Sequence, residues 1–160
     1  MKTHEEVTRA IDKYADTVQR ICYLHTKNEY DSDDIFQNVF LKYMTKSPPF
    51  KDEEHEKAWI IRVAINLCKD SFKSFFKKNV CPIDEIKEMS AEETEDLSFV
   101  REAVKKLPEN YRDVVFLFYY EGYSAIEISS LLKKNVNTVY TWLKRAKDML
   151  KNELGGVIIE

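Results

Sequence analysis

Residues 124–147 contain two short amphipathic segments, and the second carries side chains suited to nucleic acid. Asn137, Thr138, Tyr140, Thr141, Lys144 and Arg145 fall outside its apolar stripe. Val136, Val139, Leu143, Ala146 and Leu150 form that stripe at helical spacing. Small polar groups near a helix N-terminus can reach base edges, and cations further along meet phosphates. On the first segment, Ile128 and Leu131 can face Val136, Val139 and Leu143, which is the packing of a helix-turn-helix. The same spacing also fits a short solvated helical hairpin, so from periodicity alone both readings stand.

Two other groups have the same double standing. Arg62, Asn66, Lys69, Lys73 and Lys77 recur at steps of three or four and line one helix face. That face can meet phosphates, or it can simply be solvated. Asp34, Gln37 and Asn38 share a polar face with Leu41, opposite the apolar Ile35, Phe36, Val39, Phe40 and Tyr43. Cys22-Tyr23-Leu24-His25 is half a zinc site without a second ligand pair, so Cys22 and Cys68 read as small core residues. The cluster Phe72, Phe75 and Phe76 reads as packing. No Gly-rich phosphate loop, no Ser/His/Asp signature and no metal cluster is present in the sequence. The expectation is therefore no enzyme, no cofactor, no metal and no small-molecule substrate.

Helices must position these groups. Thr3-His4-Glu5-Glu6 has the capping-box form, followed by Val7, Ile11, Tyr14, Val18 and Ile21. Asn28–Ser32 reads as a turn, with Asp31 or Ser32 capping a second helix to about Thr45. Ser47-Pro48-Pro49 ends it. A third helix is predicted from about Glu54 to Lys78, with Trp59, Ile60, Val63, Ala64, Leu67 and Phe75 inward. Residues 79–90 read as a linker containing Pro82. Ser90-Ala91-Glu92-Glu93 is a second capping box, opening a helix with Leu97, Val100, Val104 and Leu107 inward. Pro108 is predicted in the first turn of the next helix, and Gly122 just past its end. Ser124 and Asn135 cap the last two helices, and Gly155-Gly156 stops the final one.

The fold class is all-α: two small helical domains, 1–78 and 91–155, joined by a flexible linker 79–90, with a tail 156–160. Length and composition agree. The 160 residues suffice for one ordinary domain or two small ones. Three glycines and four prolines are too few for the many turns of an all-β fold. No apolar run reaches the length that spans a bilayer, and MKTHEEVTRA has no signal-peptide stretch, so a cytoplasmic protein is expected. The net charge is −3, but it is unevenly distributed. Between Lys133 and Lys151 six cations oppose Asp148 alone, and between Lys69 and Lys78 four oppose Asp70 alone. Between Asp84 and Asp96 seven acids oppose Lys87. Two basic patches flanking an acidic middle point to an anionic partner more than the total does.

Both halves resemble the extracytoplasmic-function sigma factors, the smallest members of the main class of bacterial RNA polymerase initiation subunits. Residues 99–154 are similar to the family's region four, through Leu107-Pro108, Tyr111-Arg112, Tyr119-Tyr120-Glu121-Gly122, Ser124, Glu127-Ile128, Val136, Thr138, Val139, Leu143, Arg145 and Ala146. Residues 31–41, DSDDIFQNVFL, are similar to the region two helix that docks on the polymerase clamp. Residues 58–67, AWIIRVAINL, are similar to its promoter-melting helix.

The resemblance implies residue roles. Asp34, Gln37 and Asn38 sit where the family contacts the β′ clamp. Arg62, Asn66, Lys69 and Lys73 sit where it meets the −10 element and captures a flipped base, helped by the loop of about Ser47–Glu56. Trp59 matches a tryptophan read as chiefly structural. Asn137, Thr138, Tyr140, Thr141, Lys144 and Arg145 sit where the family reads the −35 element. Four positions depart from the family: Asn38 replaces an acid, Ile65 an arginine, Lys133 a glycine and Trp142 a basic residue. A left-handed lysine at position 133 costs roughly 1 kcal/mol. Trp142 lies beside the inward stripe and is expected to pack.

The implied function is that of a sigma factor directing promoter-specific initiation. Its partners would be core RNA polymerase, through the β′ clamp and the β subunit, and promoter DNA; an anti-sigma factor is a further implied partner. The alternative is an autonomous helix-turn-helix regulator acting as a dimer, which leaves region two unexplained. A third reading is a helical module that sequesters a regulator, which charge reversal at Lys144 and Arg145 would leave active.

Overall fold

The computed structural model describes residues 1–26, 28–78 and 101–153, with the side chains of 71–78 left undescribed. The linker 79–90, the capping box at Ser90, Leu97, Val100, the Gly155-Gly156 stop and the tail 156–160 lie outside the described residues. So do Cys81 and the side chains of Phe72, Phe75 and Phe76. The described residues form helices and connections, in two compact units, Met1–Ser90 and Ala91–Glu160.

The described residues of unit 1 form three helices: α1 (His4–His25), α2 (Glu29–Lys46) and α3 (Glu53–Lys78). Each packs on the other two. The first begins as predicted. The Thr3 hydroxyl accepts from the Glu6 amide at 3.2 Å, and the Glu6 carboxylate accepts from the Thr3 amide at 2.8 Å. The start of α2 differs from the prediction. Asn28 is extended and its side chain accepts from the Asp31 amide at 2.8 Å, so Asn28 is the cap, not Asp31 or Ser32. Four residues read as a turn are therefore helix, and Ser32 goes inward, 5% exposed. Asn favours turns and caps equally, which is why the stretch was ambiguous.

The third helix is more deeply buried than one inward stripe requires. Ile60, Val63 and Ala64 are buried as predicted, and Trp59 and Leu67 are half-buried. Ile61, Ile65 and Cys68 are buried too, because α1 and α2 both cover this helix. Burying one such isoleucine stabilises by about 1.5–3 kcal/mol. Ile65, one of the positions expected to depart from the family pattern, thus contributes to the core. Cys22 and Cys68 are both buried and are not joined in a disulfide, and the Cys22 thiol is held below its ordinary value, first of all by the neighbouring Cys68.

The described residues of unit 2 comprise helical residues 101–105, α4 (Glu109–Val115), a π-helical turn (Phe116–Tyr120), α5 (Ala125–Leu132) and α6 (Val136–Glu153). Pro108 sits one residue earlier than predicted, as the cap itself. Its carbonyl accepts from the Tyr111 and Arg112 amides at 3.0 Å. The run VVFLFYY does not stay α-helical. The Glu121 amide reaches back five residues to the Phe116 carbonyl at 3.0 Å. Phe116 and Leu117 are buried, whereas Phe118 and Tyr120 are exposed. Gly122, at φ 78°, then turns the chain, and the Tyr123 amide closes onto the Leu117 carbonyl at 2.9 Å. The core of this unit includes Val114, Leu117, Ile128, Val139, Ala146 and Leu150.

Candidate nucleic-acid interface

The helix-turn-helix is built from backbone devices. Ser124 and Glu127 form a capping box at the start of α5, with hydrogen bonds of 3.1 and 3.0 Å. Lys133 ends α5 in the left-handed region at φ 55°, ψ 48°, and the Lys134 amide reaches the Ser129 carbonyl at 2.9 Å. The lysine thus adopts the conformation that glycine would adopt more cheaply. Asn135 then caps α6, its side chain accepting from the Asn137 amide at 2.8 Å. Ile128, Leu131 and Val139 close the space between the two helices.

This arrangement leaves Asn137, Tyr140, Thr141, Lys144 and Arg145 exposed along α6. Thr138 is half-buried. Thr141 donates to the Asn137 carbonyl at 3.0 Å, which ties its hydroxyl to the helix. Trp142 is half-buried, in keeping with packing beside the inward stripe.

In unit 1, the predicted polar face of α2 is exposed. Asp34, Gln37 and Asn38 are all open to solvent, with Leu41 53% exposed beside them. The Asn38 amide donates to the Asp34 carboxylate at 3.4 Å.

The α3 stripe is less uniform than predicted. Asn66 is exposed, but Arg62 and Lys69 are half-buried. The Arg62 Nε is shielded from solvent and has no hydrogen-bond partner. The side chain of Lys73 lies outside the described residues. Burial of these stems follows from helices covering two sides of α3, a tertiary effect that a single helical projection does not capture.

Two features escaped the sequence reading. Ile126 is 67% exposed on α5, since Ala125, Ile128 and Leu131 already fill the inward positions. Glu56 is 6% exposed in the first turn of α3. Its carboxylate accepts from Tyr14 at 2.9 Å and from Tyr43 at 2.8 Å, and Arg9 lies 3.9 Å away. Burial, followed by this carboxylate, pushes the Tyr43 phenol up to about 12, and the Tyr14 phenol is raised further. Among the described residues no group of His, Cys, Asp and Glu could hold a metal, and no helix is long and apolar enough to cross a membrane.

Residues 10–74 match the family described as Sigma-70 region 2, and residues 100–150 match Sigma-70, region 4. A three-helix unit followed by a helix-turn-helix unit, each with its matching region, defines an initiation factor of the sigma-70 class. Among curated relatives, the ECF RNA polymerase sigma factor SigW of Bacillus subtilis is 25% identical over 166 residues, covering 90% of this chain and 86% of that protein. SigV of the same organism is 27% identical over 138 residues, covering 84% and 82%. Among solved structures, the sigma factor RpoE bound to the anti-sigma factor NepR, from Bartonella quintana, has a TM-score of 0.78 at 15% identity, covering 94% of this chain and 98% of that one. CnrH in complex with the cytosolic domain of CnrY has a TM-score of 0.67 at 18% identity, covering 97% and 91%. These two likenesses concern the fold. The chain belongs to the extracytoplasmic-function sigma factors, and its function is that of an RNA polymerase sigma factor. The match of region 2 leaves the autonomous dimeric regulator without support.

Proposed function

We propose that this protein is a dissociable promoter-specificity subunit, acting in the cytoplasm, that works by binding and carries out no chemical step of its own. Unit 1 docks on the β′ clamp of core polymerase through Asp34, Gln37 and Asn38. Arg62, Asn66, Lys69 and Lys73 then meet the −10 element. Unit 2 places α6 in the major groove of the −35 element, with Asn137, Thr138, Tyr140 and Thr141 towards base edges and Lys144 and Arg145 towards phosphates. Residues 79–90 join the domains 1–78 and 91–155 and span the distance between the two elements. The observation that carries this reading is the capped α6, whose exposed face holds five of the six predicted contact residues.

Melting follows from capture. Extruding a base costs a few kcal/mol, and contacts in a pocket on unit 1 repay it. The free protein is expected to bind duplex DNA weakly, because its net charge is −3 and phosphate contacts dominate non-specific affinity. The two solved relatives that are bound by anti-sigma factors or a cytosolic partner domain support a similar inhibitor for this chain.

Run-off transcription tests the proposal. Purified protein, sigma-free bacterial core polymerase and a pool of genomic promoter fragments should yield discrete starts that depend on this protein. Arg145→Glu should lower those starts on the order of tenfold to a hundredfold, since it reverses a charge at the phosphates. Core polymerase that neither binds the protein nor gains specific starts overturns the reading.

A further inference from the structure

The connection from Ser47 to Asp52 enters α3, and its geometry is set from below. Phe50 is the centre of an aromatic cluster, with its ring 5.8 Å from Trp59, 6.1 Å from Tyr43 and 5.2 Å from His55. The Lys2 ammonium lies 4.9 Å above the Phe50 ring. The Lys51 amide donates to His55 Nδ1 at 3.2 Å, and the His55 amide donates to the Asp52 carboxylate at 2.8 Å. Tyr43 is therefore held at both ends. Its ring supports Phe50, and its hydroxyl donates to Glu56 Oε2.

Glu56 Oε1 takes the other hydroxyl, that of Tyr14. One carboxylate thus joins α1, α2 and the first turn of α3 through two separate oxygens. Burying a carboxylate is costly, and replacing a buried polar cluster by apolar residues is often neutral or stabilising. Apolar side chains, however, leave helices free to slide and rotate by small amounts. Two directional bonds to one carboxylate fix both the rotation of α3 and the height of the Tyr43 ring that carries Phe50.

We propose that Glu56 is a positioning residue for promoter opening: it sets the Ser47–Asp52 connection and the start of α3 in the geometry that receives single-stranded −10 DNA. This rests on the reading that the connection and α3 meet the −10 element. Glu56 itself does not touch DNA in this account; it acts through Tyr43 and Phe50.

The test uses the full-length protein with core polymerase and a fork-junction DNA. The fork is taken from a start found by run-off transcription and carries 2-aminopurine at each −10 non-template position in turn. Fluorescence reports unstacking, while separate assays measure binding to core and to −35 duplex. Wild-type holoenzyme should give a rise at one position. Glu56→Ala should weaken that response on the order of tenfold to a hundredfold, with core and −35 binding kept within about twofold. Glu56→Gln, which still has an acceptor for one hydroxyl and a donor for the other, should restore most of it. Tyr43→Phe, a mild change that leaves the ring in place, should fall between them and supports the proposal if Glu56→Ala does not fold. The proposal is overturned if Glu56→Ala or Tyr43→Phe leaves the response unchanged, or lowers core binding in parallel. A wild-type holoenzyme that shows no rise at any position overturns the −10 reading itself, and the proposal with it.

Discussion

The two units solve the same problem by different means. Each must hold one helix face at a fixed angle for a partner. Unit 1 does it with side chains, through a buried carboxylate that takes two tyrosine hydroxyls and an aromatic cluster stacked above it. Unit 2 does it with backbone, through a π turn, a left-handed glycine, a capping box and a left-handed lysine within Phe116–Lys133. The difference follows from size. Both units bury a carboxylate, Glu56 at 6% exposed and Asp113 at 2%, but the one in unit 1 ties three long helices together. The helices at the heart of unit 2 are short, with seven residues in α4 and eight in α5, so their ends dominate. Ends are where unsatisfied amides and carbonyls must be met.

The sharpest way to break the comparison is to remove core from the smaller unit. Ile128 is fully buried between α5 and α6. Ile128→Ala should cost about 2–5 kcal/mol of unit 2 stability. Urea unfolding followed by circular dichroism should then show an early transition, with the later one unmoved. A single transition shifted as a whole would mean that the units do not unfold separately.

Alkaline unfolding sharpens the contrast from the other side. Tyrosine in an unfolded chain ionises near pH 10. In the fold Tyr43 ionises at about 12. Above pH 10 the unfolded state therefore loses protons that the folded state keeps, so the stability of unit 1 should fall as pH rises towards 12. Tyr43→Phe should flatten that decline, at a cost near neutral pH of about 1–3 kcal/mol from the hydrogen bond it removes. Thermal melts at pH 8, 10 and 11 check the slope. An equal slope in the variant would place the alkaline sensitivity elsewhere.

The smallest effect concerns Lys133. It is the only non-glycine residue at positive φ among the described residues. Lys133→Gly should raise the stability of unit 2 by up to about 1 kcal/mol, the relieved strain being partly offset by the flexibility of glycine when unfolded. A loss of stability in a thermal melt would show that the lysine side chain contributes more than its backbone costs.

Much of this was legible in the sequence, and the exceptions are instructive. Thr3, Ser124, Asn135, Ser47 and Gly122 were readable because each solves a local problem of one helix end. Asn28 was missed because Asn28, Asp31 and Ser32 compete within five residues as caps. The π turn was missed because an apolar run carries no mark of an inserted residue. The outward face of α6 was found by periodicity, yet the same method overexposed Arg62 and Lys69, whose stems two neighbouring helices shield. Glu56 was invisible for a related reason. Within Asp52-Glu53-Glu54-His55-Glu56-Lys57 it looks like one more solvated charge, and the partners that let it sit inside, Tyr14 and Tyr43 with Arg9 beside them, are distant in the chain.

The sequence contains two tryptophans, and they divide between the units, Trp59 beneath Phe50 and Trp142 on α6. The protein therefore carries its own pair of optical reporters. With Trp142 replaced by phenylalanine, ultraviolet emission comes from the indole beside the Ser47–Asp52 connection. With Trp59 replaced instead, the emission comes from α6. Each half of the molecule can be watched in turn without attaching a dye.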